Sequence, residues 1–312
     1  MTTASTSAPL SVWRPIATDT FLVGAPHYPE HVDESYWQRD ADRMAAAGFN
    51  TVRLAEFAWH ILEPKEGTFD FDLFDRAIDV LGSGGIKTIM CTPTATPPRW
   101  LTAHYPEVLR IDGNGRAMSH GSRQHANLAS GVFCEHSKRI TKAMAEHYRG
   151  NSHVIGWQTD NELNTSGSLS YGPVTLLEFQ AFLKDKYKTI AALHEAWGGH
   201  FWATAYGDFD QVVLPLDYAP APAGPTHVVD YHRFLAFVTA RFQHDQVQIL
   251  RTTNPDWFIF HNLGGLDDID LRGEFSTDLD FLGFDIYPYL DDEKQRIGGV
   301  GEAQALGMDI SR

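Results

Sequence analysis

The sequence predicts an α/β fold, and within that class an incomplete (β/α)8 TIM barrel of about six strands. Short apolar runs alternate with helix-like segments, as expected for parallel strands that are buried on both faces. Polar and aromatic residues collect where several of these runs end. No Gly-rich phosphate-binding motif follows the first run, which disfavours a doubly wound sheet that binds a dinucleotide.

Each predicted strand is an apolar run bounded by polar or glycine-containing segments. The six runs are 21–28, 51–57, 87–93, 154–162, 257–262 and 280–288. Their last positions carry polar or aromatic side chains, among them His27, Glu56, Glu162, Asn262 and Tyr287. Because the C-terminal ends of barrel strands converge on one face, we expect the functional site there.

Apolar residues at helical spacing predict the connecting helices. These helices are 34–48, 72–83, 133–149, 174–186, 189–197 and 227–252. The segment 94–131, rich in Pro, Gly and His, is predicted to be an irregular loop of a length that is usually functional. An open six-strand sheet would expose two apolar edges. The barrel is therefore predicted to be partial, over residues 21–312. Residues 1–20 are predicted to form a disordered extension.

Composition narrows the classes of partner. The formal charge of the 312 residues is −15, which argues against nucleic acid or an anionic membrane surface as the main partner. No apolar run is long enough to cross a bilayer, and the first residues do not resemble a secretory signal, so a cytoplasmic location is expected. Two cysteines, Cys91 and Cys134, are too few for a disulfide framework or a four-thiolate zinc site.

The segment WQTDNE (157–162) carries the candidate chemistry. Cleavage of a glycosidic bond needs a carboxyl group that stays protonated at working pH. A glutamate at a strand end, beside aromatic surface and another acid, can have its pKa raised enough for that role, and Glu162 fits. Asn161 could offer its amide to a substrate hydroxyl. From spacing alone, a structural ion pair at Glu162 explains the pattern equally well.

Several motifs in a fixed order resemble the β-galactosidases of glycoside hydrolase family 42. They are YPEH (28–31), RLAEFAW (53–59), LEPKEGTFDF (62–71), TPTATPPRWL (92–101), GSRQH (121–125), GWQTDNE (156–162), AWGGHFW (196–202) and FDIYP (284–288). The resemblance runs from about residue 21 to the end, and the combination is far more specific than any one motif. It implies a retaining hydrolase that releases terminal β-D-galactose from β-galactosides, a small-molecule substrate.

The resemblance also implies roles for individual residues. Glu162 matches the general acid/base of the family, and Asn161 and Arg123 match residues that contact the sugar. Arg53 matches an arginine that supports the nucleophile in related barrels. Tyr287 matches a tyrosine that hydrogen-bonds the nucleophile.

Each role has a structural alternative. Arg53 could pair with Glu56 or with Glu162, Arg123 could be a solvated loop residue, and Tyr287 could be a packing aromatic. Three tryptophans could either stack on sugar rings or fill the core: Trp59, Trp100 and Trp157.

Two departures from the family pattern matter. The cysteines that hold a structural zinc in some members are missing after residue 123 and after residue 164, so we predict no metal and no cofactor. The family nucleophile lies at the end of a seventh strand, so the chain is expected to stop before it and to be inactive alone. An inactive carbohydrate-binding protein, or a barrel glycosidase acting on another β-glycoside, stays open. A homo-oligomer, in the family often a trimer, is a further expectation.

Overall fold

The computed structural model describes residues 20–165, 169–199, 204–216, 223–265, 268–270 and 273–286. Six strands form one sheet, and their order in the sheet follows their order in the chain. They are β1 (Gly24–Pro26), β2 (Thr51–Leu54), β3 (Lys87–Cys91), β4 (Val154–Gln158), β5 (Phe258–Leu263) and β6 (Phe281–Phe284). Every neighbouring pair is parallel, so the strands form a half-barrel and the predicted fold class is confirmed.

Helices follow most strands. They are α1 (Trp37–Ala46), α2 (Trp59–Leu62), α3 (Asp72–Ser83), α4 (Arg99–His104), α5 (Gly131–Tyr148), α6 (Pro173–Tyr187), α7 (Ile190–Trp197) and α8 (Pro225–Thr253). Of these, α1, α3, α5 and α8 pack against the sheet. The helix predicted over 34–48 begins with a 3-10 turn before α1. The prediction that 94–131 is irregular throughout is wrong, since α4 lies inside it; a helix of 6 residues is too short for periodicity to reveal.

Several strands are shorter than the apolar runs that predict them. After β2 the backbone turns at Ala55, whose φ is 70°, and after β4 it turns repeatedly, with φ of 50° at Asp160, 43° at Glu162 and 72° at Asn164. Positive φ is uncommon for residues other than glycine and ends an extended strand. The polar residues at these positions therefore lie on turns beyond the strand ends.

The largest part of the core lies between the sheet and the helices α1, α3, α5 and α8. Trp59 and Trp157 are fully buried there, so the structure assigns both to the core and neither to a sugar-stacking surface. Trp100 is half-buried, and its indole N–H donates to the backbone oxygen of Glu63 at 2.9 Å. A second cluster, between α6, α7 and α8, packs Phe179, Leu193 and other apolar side chains.

Some predictions lie outside the described residues: nearly all of the predicted extension 1–20, Tyr287 and the closing segment 287–312. Within the described ranges, every helix is too short or too polar to span a bilayer.

Candidate active site

Polar side chains from four strand ends meet at the carboxyl edge of the half-barrel, as the sequence predicts. The group comprises Arg53 in β2 and Glu56 after it, Gln158 at the end of β4 with Asn161 and Glu162 after it, Asn262 in β5 and Asp285 after β6. Arg123 reaches the same place from the long segment between β3 and α5. Because these residues are far apart in sequence, the parallel order of the strands is what brings them together.

The turn that carries Glu162 is fixed from the β3 side through Asp160. Asp160 accepts hydrogen bonds from the Thr94 hydroxyl at 2.5 Å and from the Asn161 backbone N–H at 2.7 Å. Its own N–H donates to the Thr92 hydroxyl at 2.7 Å. Burial raises the pKa of Asp160 to about 6. These bonds hold the left-handed backbone in place.

The β5 side fixes the other half of the same turn. The Glu162 N–H donates to Oδ1 of Asn262 at 3.2 Å, and the Leu163 N–H lies 3.2 Å from Nε2 of His261. On the other ring nitrogen, Nδ1 of His261 lies 2.7 Å from the backbone oxygen of Thr159. A strained turn that is held from both sides is typical of a functional site.

Glu162 lies in a buried and electrostatically mixed environment. Its side chain is 5% exposed, and one carboxylate oxygen lies 2.5 Å from Nη1 of Arg123. Burial and a hydrogen bond to the Asp285 carboxyl raise the pKa of Glu162, and Arg123 opposes that shift without reversing it. A raised pKa is what a general acid requires, because it keeps the proton on the carboxyl group.

Arg53 pairs with Glu56, which decides between the two partners that the sequence left open. Its guanidinium lies 2.8 Å from Oε1 of Glu56 and donates to Oε1 of Gln158 at 2.7 Å. Glu56 also accepts from the Tyr28 hydroxyl at 2.6 Å and from the Gln158 amide at 3.1 Å. The buried charge of Glu56 is therefore neutralised and well hydrogen-bonded.

Asn161 lies between the Arg53–Glu56 ion pair and the contact of Arg123 with Glu162. With its amide nitrogen toward Glu56 and its oxygen toward Arg123, the distances are 2.9 Å to Oε1 of Glu56 and 2.6 Å to Nη1 of Arg123. This orientation satisfies Glu56 and Arg123, which is how amide orientations are assigned, but it places the Asn161 nitrogen 2.8 Å from Nδ2 of Asn262, which donates to Asn161 Oδ1 in the opposite orientation. Arg123 is 37% exposed but in contact with the Glu162 carboxyl group, so it is more than a solvated loop residue.

The structure brings together Glu162, Asn161, Arg123 and Arg53, and the fifth predicted residue, Tyr287, lies outside the described residues. Sequence reasoning missed Asp285. The available signal was its place in the strand-end motif FDIYP (284–288), of which only the tyrosine was assigned a role. Among the described residues, His, Cys, Asp and Glu form no group of three that could hold a metal ion, and the absence of a metal stays a prediction.

A parallel half-barrel with a protonatable glutamate, an arginine and an asparagine at the carboxyl ends of its strands has the architecture of a barrel glycosidase. The family model of the β-galactosidases in glycoside hydrolase family 42 matches residues 26–312, and the chain belongs to that family.

Relatives and solved structures agree with this membership. The β-galactosidase BgaA of a Thermus species is 42% identical over 269 residues, which is 86% of this chain and 41% of that protein. The crystal structure of a β-galactosidase from the psychrophilic Marinomonas ef1 has a TM-score of 0.88 at 36% identity, covering 94% of this chain and 46% of the other. The solved structure of a β-galactosidase from the haloarchaeon Halorubrum lacusprofundi has a TM-score of 0.84, also at 36% identity, covering 93% of this chain and 44% of the other. The chain thus spans less than half the length of these relatives.

Proposed function

We propose that this chain is the catalytic-barrel part of a retaining β-galactosidase, with Glu162 as its general acid and base. The observation that carries the proposal is the buried Glu162 carboxyl, whose pKa is raised at the carboxyl edge of the half-barrel. Family membership supports a β-galactoside as the substrate. The substrate is expected to enter from the side on which Arg123 is exposed.

In the first step, Glu162 gives its proton to the glycosidic oxygen while the bond from that oxygen to the sugar's anomeric carbon breaks. A second carboxylate attacks the anomeric carbon and forms a galactosyl ester. In the second step Glu162 takes a proton from water, whose oxygen replaces the ester and releases galactose with retained configuration. By resemblance we assign the second carboxylate to the end of a seventh strand beyond residue 312, and residues 1–312 alone are proposed to be inactive.

The neighbours of Glu162 have supporting roles in this proposal. Arg123 and Asn161 contact the sugar, and substrate hydroxyls compete for the hydrogen bonds that these two side chains make to each other. Arg53, held by Glu56, orients the nucleophile together with Tyr287. Assembly into a homo-oligomer and a cytoplasmic location stay predictions.

The test compares leaving groups in the protein expressed with any residues that its gene encodes beyond Arg312. Glu162→Gln should lower kcat/KM for lactose by at least about 10²-fold, the usual contribution of general acid catalysis. A nitrophenyl galactoside needs little protonation of its leaving group, so its first step should be largely spared. Azide, which needs no general base, should then restore turnover and give β-galactosyl azide.

Glu195→Gln, at an exposed glutamate of α7, is the matched control and should leave both substrates unaffected. Equal losses on lactose and on the nitrophenyl galactoside, without rescue by azide, would show that Glu162 is not the acid. Galactose binding without turnover in the wild-type protein would favour the inactive sugar-binding alternative.

A further inference from the structure

Asp285 enters the site from the strand opposite Arg53 in the half-barrel. Its backbone N–H donates to the oxygen of Leu263 at 2.9 Å, which continues the pairing of β5 with β6 beyond the last residue of β6. Its carboxyl group accepts a hydrogen bond from Asn262 of β5, and its hydrogen bond to the carboxyl group of Glu162 raises the pKa of that group. Two acids that are remote in sequence are thus in direct contact at the centre of the site.

One buried amide sets the position of both acids. Asn262 is 1% exposed, and its amide nitrogen donates to Oδ2 of Asp285 at 2.8 Å. Its amide oxygen accepts the backbone N–H of Glu162 at 3.2 Å. The backbone donor fixes which end of the amide faces which way, so the nitrogen must point at Asp285.

The contact needs one proton, because two carboxylates can only accept hydrogen bonds. Asp285 already accepts a hydrogen bond from Asn262, and that bond is strongest to an ionised oxygen. The proton therefore belongs on Glu162, which donates it to Asp285. Sharing a proton in this way is the known behaviour of two acids held in contact.

Other charged groups surround the pair and affect which of the two carboxyl groups is protonated. Arg123 favours the ionised form of Glu162, although it is 37% exposed and so partly screened by solvent. Arg53 acts on Asp285 from β2 but is itself paired with Glu56. His261 on β5 is buried, and burial lowers its pKa to about 4, so it is neutral at neutral pH.

We propose that Asp285 is a positioning residue that keeps the catalytic proton on Glu162, through the direct hydrogen bond between their carboxyl groups and the shared anchor Asn262. This inference rests on the proposed acid role of Glu162. Asp285 is not the nucleophile, because a retaining pair needs about 5–5.5 Å between its carboxyl groups to admit the sugar carbon. After Glu162 has given up its proton, two facing carboxylates repel each other, which increases the tendency of Glu162 to take a proton from water.

The test is the pH dependence of kcat/KM in the protein with any residues encoded beyond Arg312. Activity is lost as pH rises through the pKa of the general acid. Asp285→Asn removes the neighbouring charge, so the pKa of Glu162 should fall and the basic limb should move by about one unit or more to lower pH. Asp285→Glu, which keeps the charge, should move it less.

Asp256→Asn is the matched control, an exposed acid just before β5 at the other end of the sheet, and it should leave the limb unchanged. Titration of the ¹³C-labelled Glu162 carboxyl group by NMR measures the same change in the pKa of Glu162 without any turnover. Asp285→Ser provides a second neutral variant in case the Asp285→Asn protein does not fold.

An unmoved basic limb and an unmoved Glu162 titration in the folded neutral variants would overturn the role of Asp285. The proposed function would survive that result as long as Glu162→Gln still discriminates between leaving groups. A shifted titration in Asp285→Asn, combined with equal losses on both substrates in Glu162→Gln, would keep the carboxyl pair and refute the acid role.

Discussion

His261 makes the stability of the turn that carries Glu162 depend on pH. The ring is fully buried, and its neighbours are the Thr159 oxygen, 2.7 Å from Nδ1, and the Leu163 N–H, 3.2 Å from Nε2. These partners require a neutral ring with its proton on Nδ1, since Nε2 must accept a hydrogen bond. Protonation would place a second N–H against the Leu163 N–H, in a site where burial already lowers the pKa of His261 to about 4.

The lowered pKa converts into a stability change. The folded state binds fewer protons than the unfolded state below the unfolded pKa of 6.5, so stability is fully present above that pH and is lost as pH falls toward about 4. At pH 5 the loss is about 1.5 pH units at about 1.4 kcal/mol each, or roughly 2 kcal/mol. His261→Gln removes this contribution and should lower stability at pH 7 by about 1–3 kcal/mol, because a buried hydrogen bond is lost.

The assay is urea unfolding of the wild type and of His261→Gln at several pH values between 7 and 5. The gap between the two stability curves should narrow by roughly 2 kcal/mol over that range. His232→Gln, at an exposed histidine of α8, is the control and should run parallel to the wild type. Parallel curves for the wild type and His261→Gln, or an imidazole ¹⁵N signal of His261 that titrates near 6.5, would refute the reasoning.

Two further substitutions probe packing elsewhere in the fold, one within β4 and one between α6, α7 and α8. Gly156→Ala would place a Cβ 2.4 Å from the ring of Phe258, so the free energy of unfolding should fall by about 1–3 kcal/mol. Gly150→Ala, whose Cβ would lie in open space, is the control, and thermal unfolding should show it to be nearly neutral. Asp230→Asn weakens a buried carboxylate that accepts from the Trp197 indole at 2.9 Å and from Tyr187 at 2.6 Å. It should cost about 1–3 kcal/mol and increase hydrogen exchange in α6 and α7; unchanged exchange there would contradict that role.

Much of the fold follows from the sequence, because the local spacing of apolar residues indicates which side chains are buried. The helix predicted over 72–83 is α3, with the same bounds, since its apolar residues repeat at helical spacing. The six strands lie where apolar runs occur, because a parallel strand is buried on both faces. Strand ends were overestimated where a left-handed turn, as at Ala55, interrupts a run without any change in composition.

Four of the five residues that the sequence predicts for the site lie in one network of contacts, and their functional roles stay predictions. The sequence did not show which residues these side chains contact. Arg53 could have paired with Glu56 or Glu162, and only the register of β2 against β3 and of β3 against β4 places it beside Glu56 and Gln158.

The contact between Asp285 and Glu162 likewise required the parallel order from β4 through β5 to β6. Periodicity records which side chains are buried, whereas the partner of a buried charge depends on which strand ends are neighbours. The sequence by itself therefore determined the half-barrel and the edge at which its polar side chains gather, and tertiary structure decided which carboxyl group is in contact with which cation and which acid.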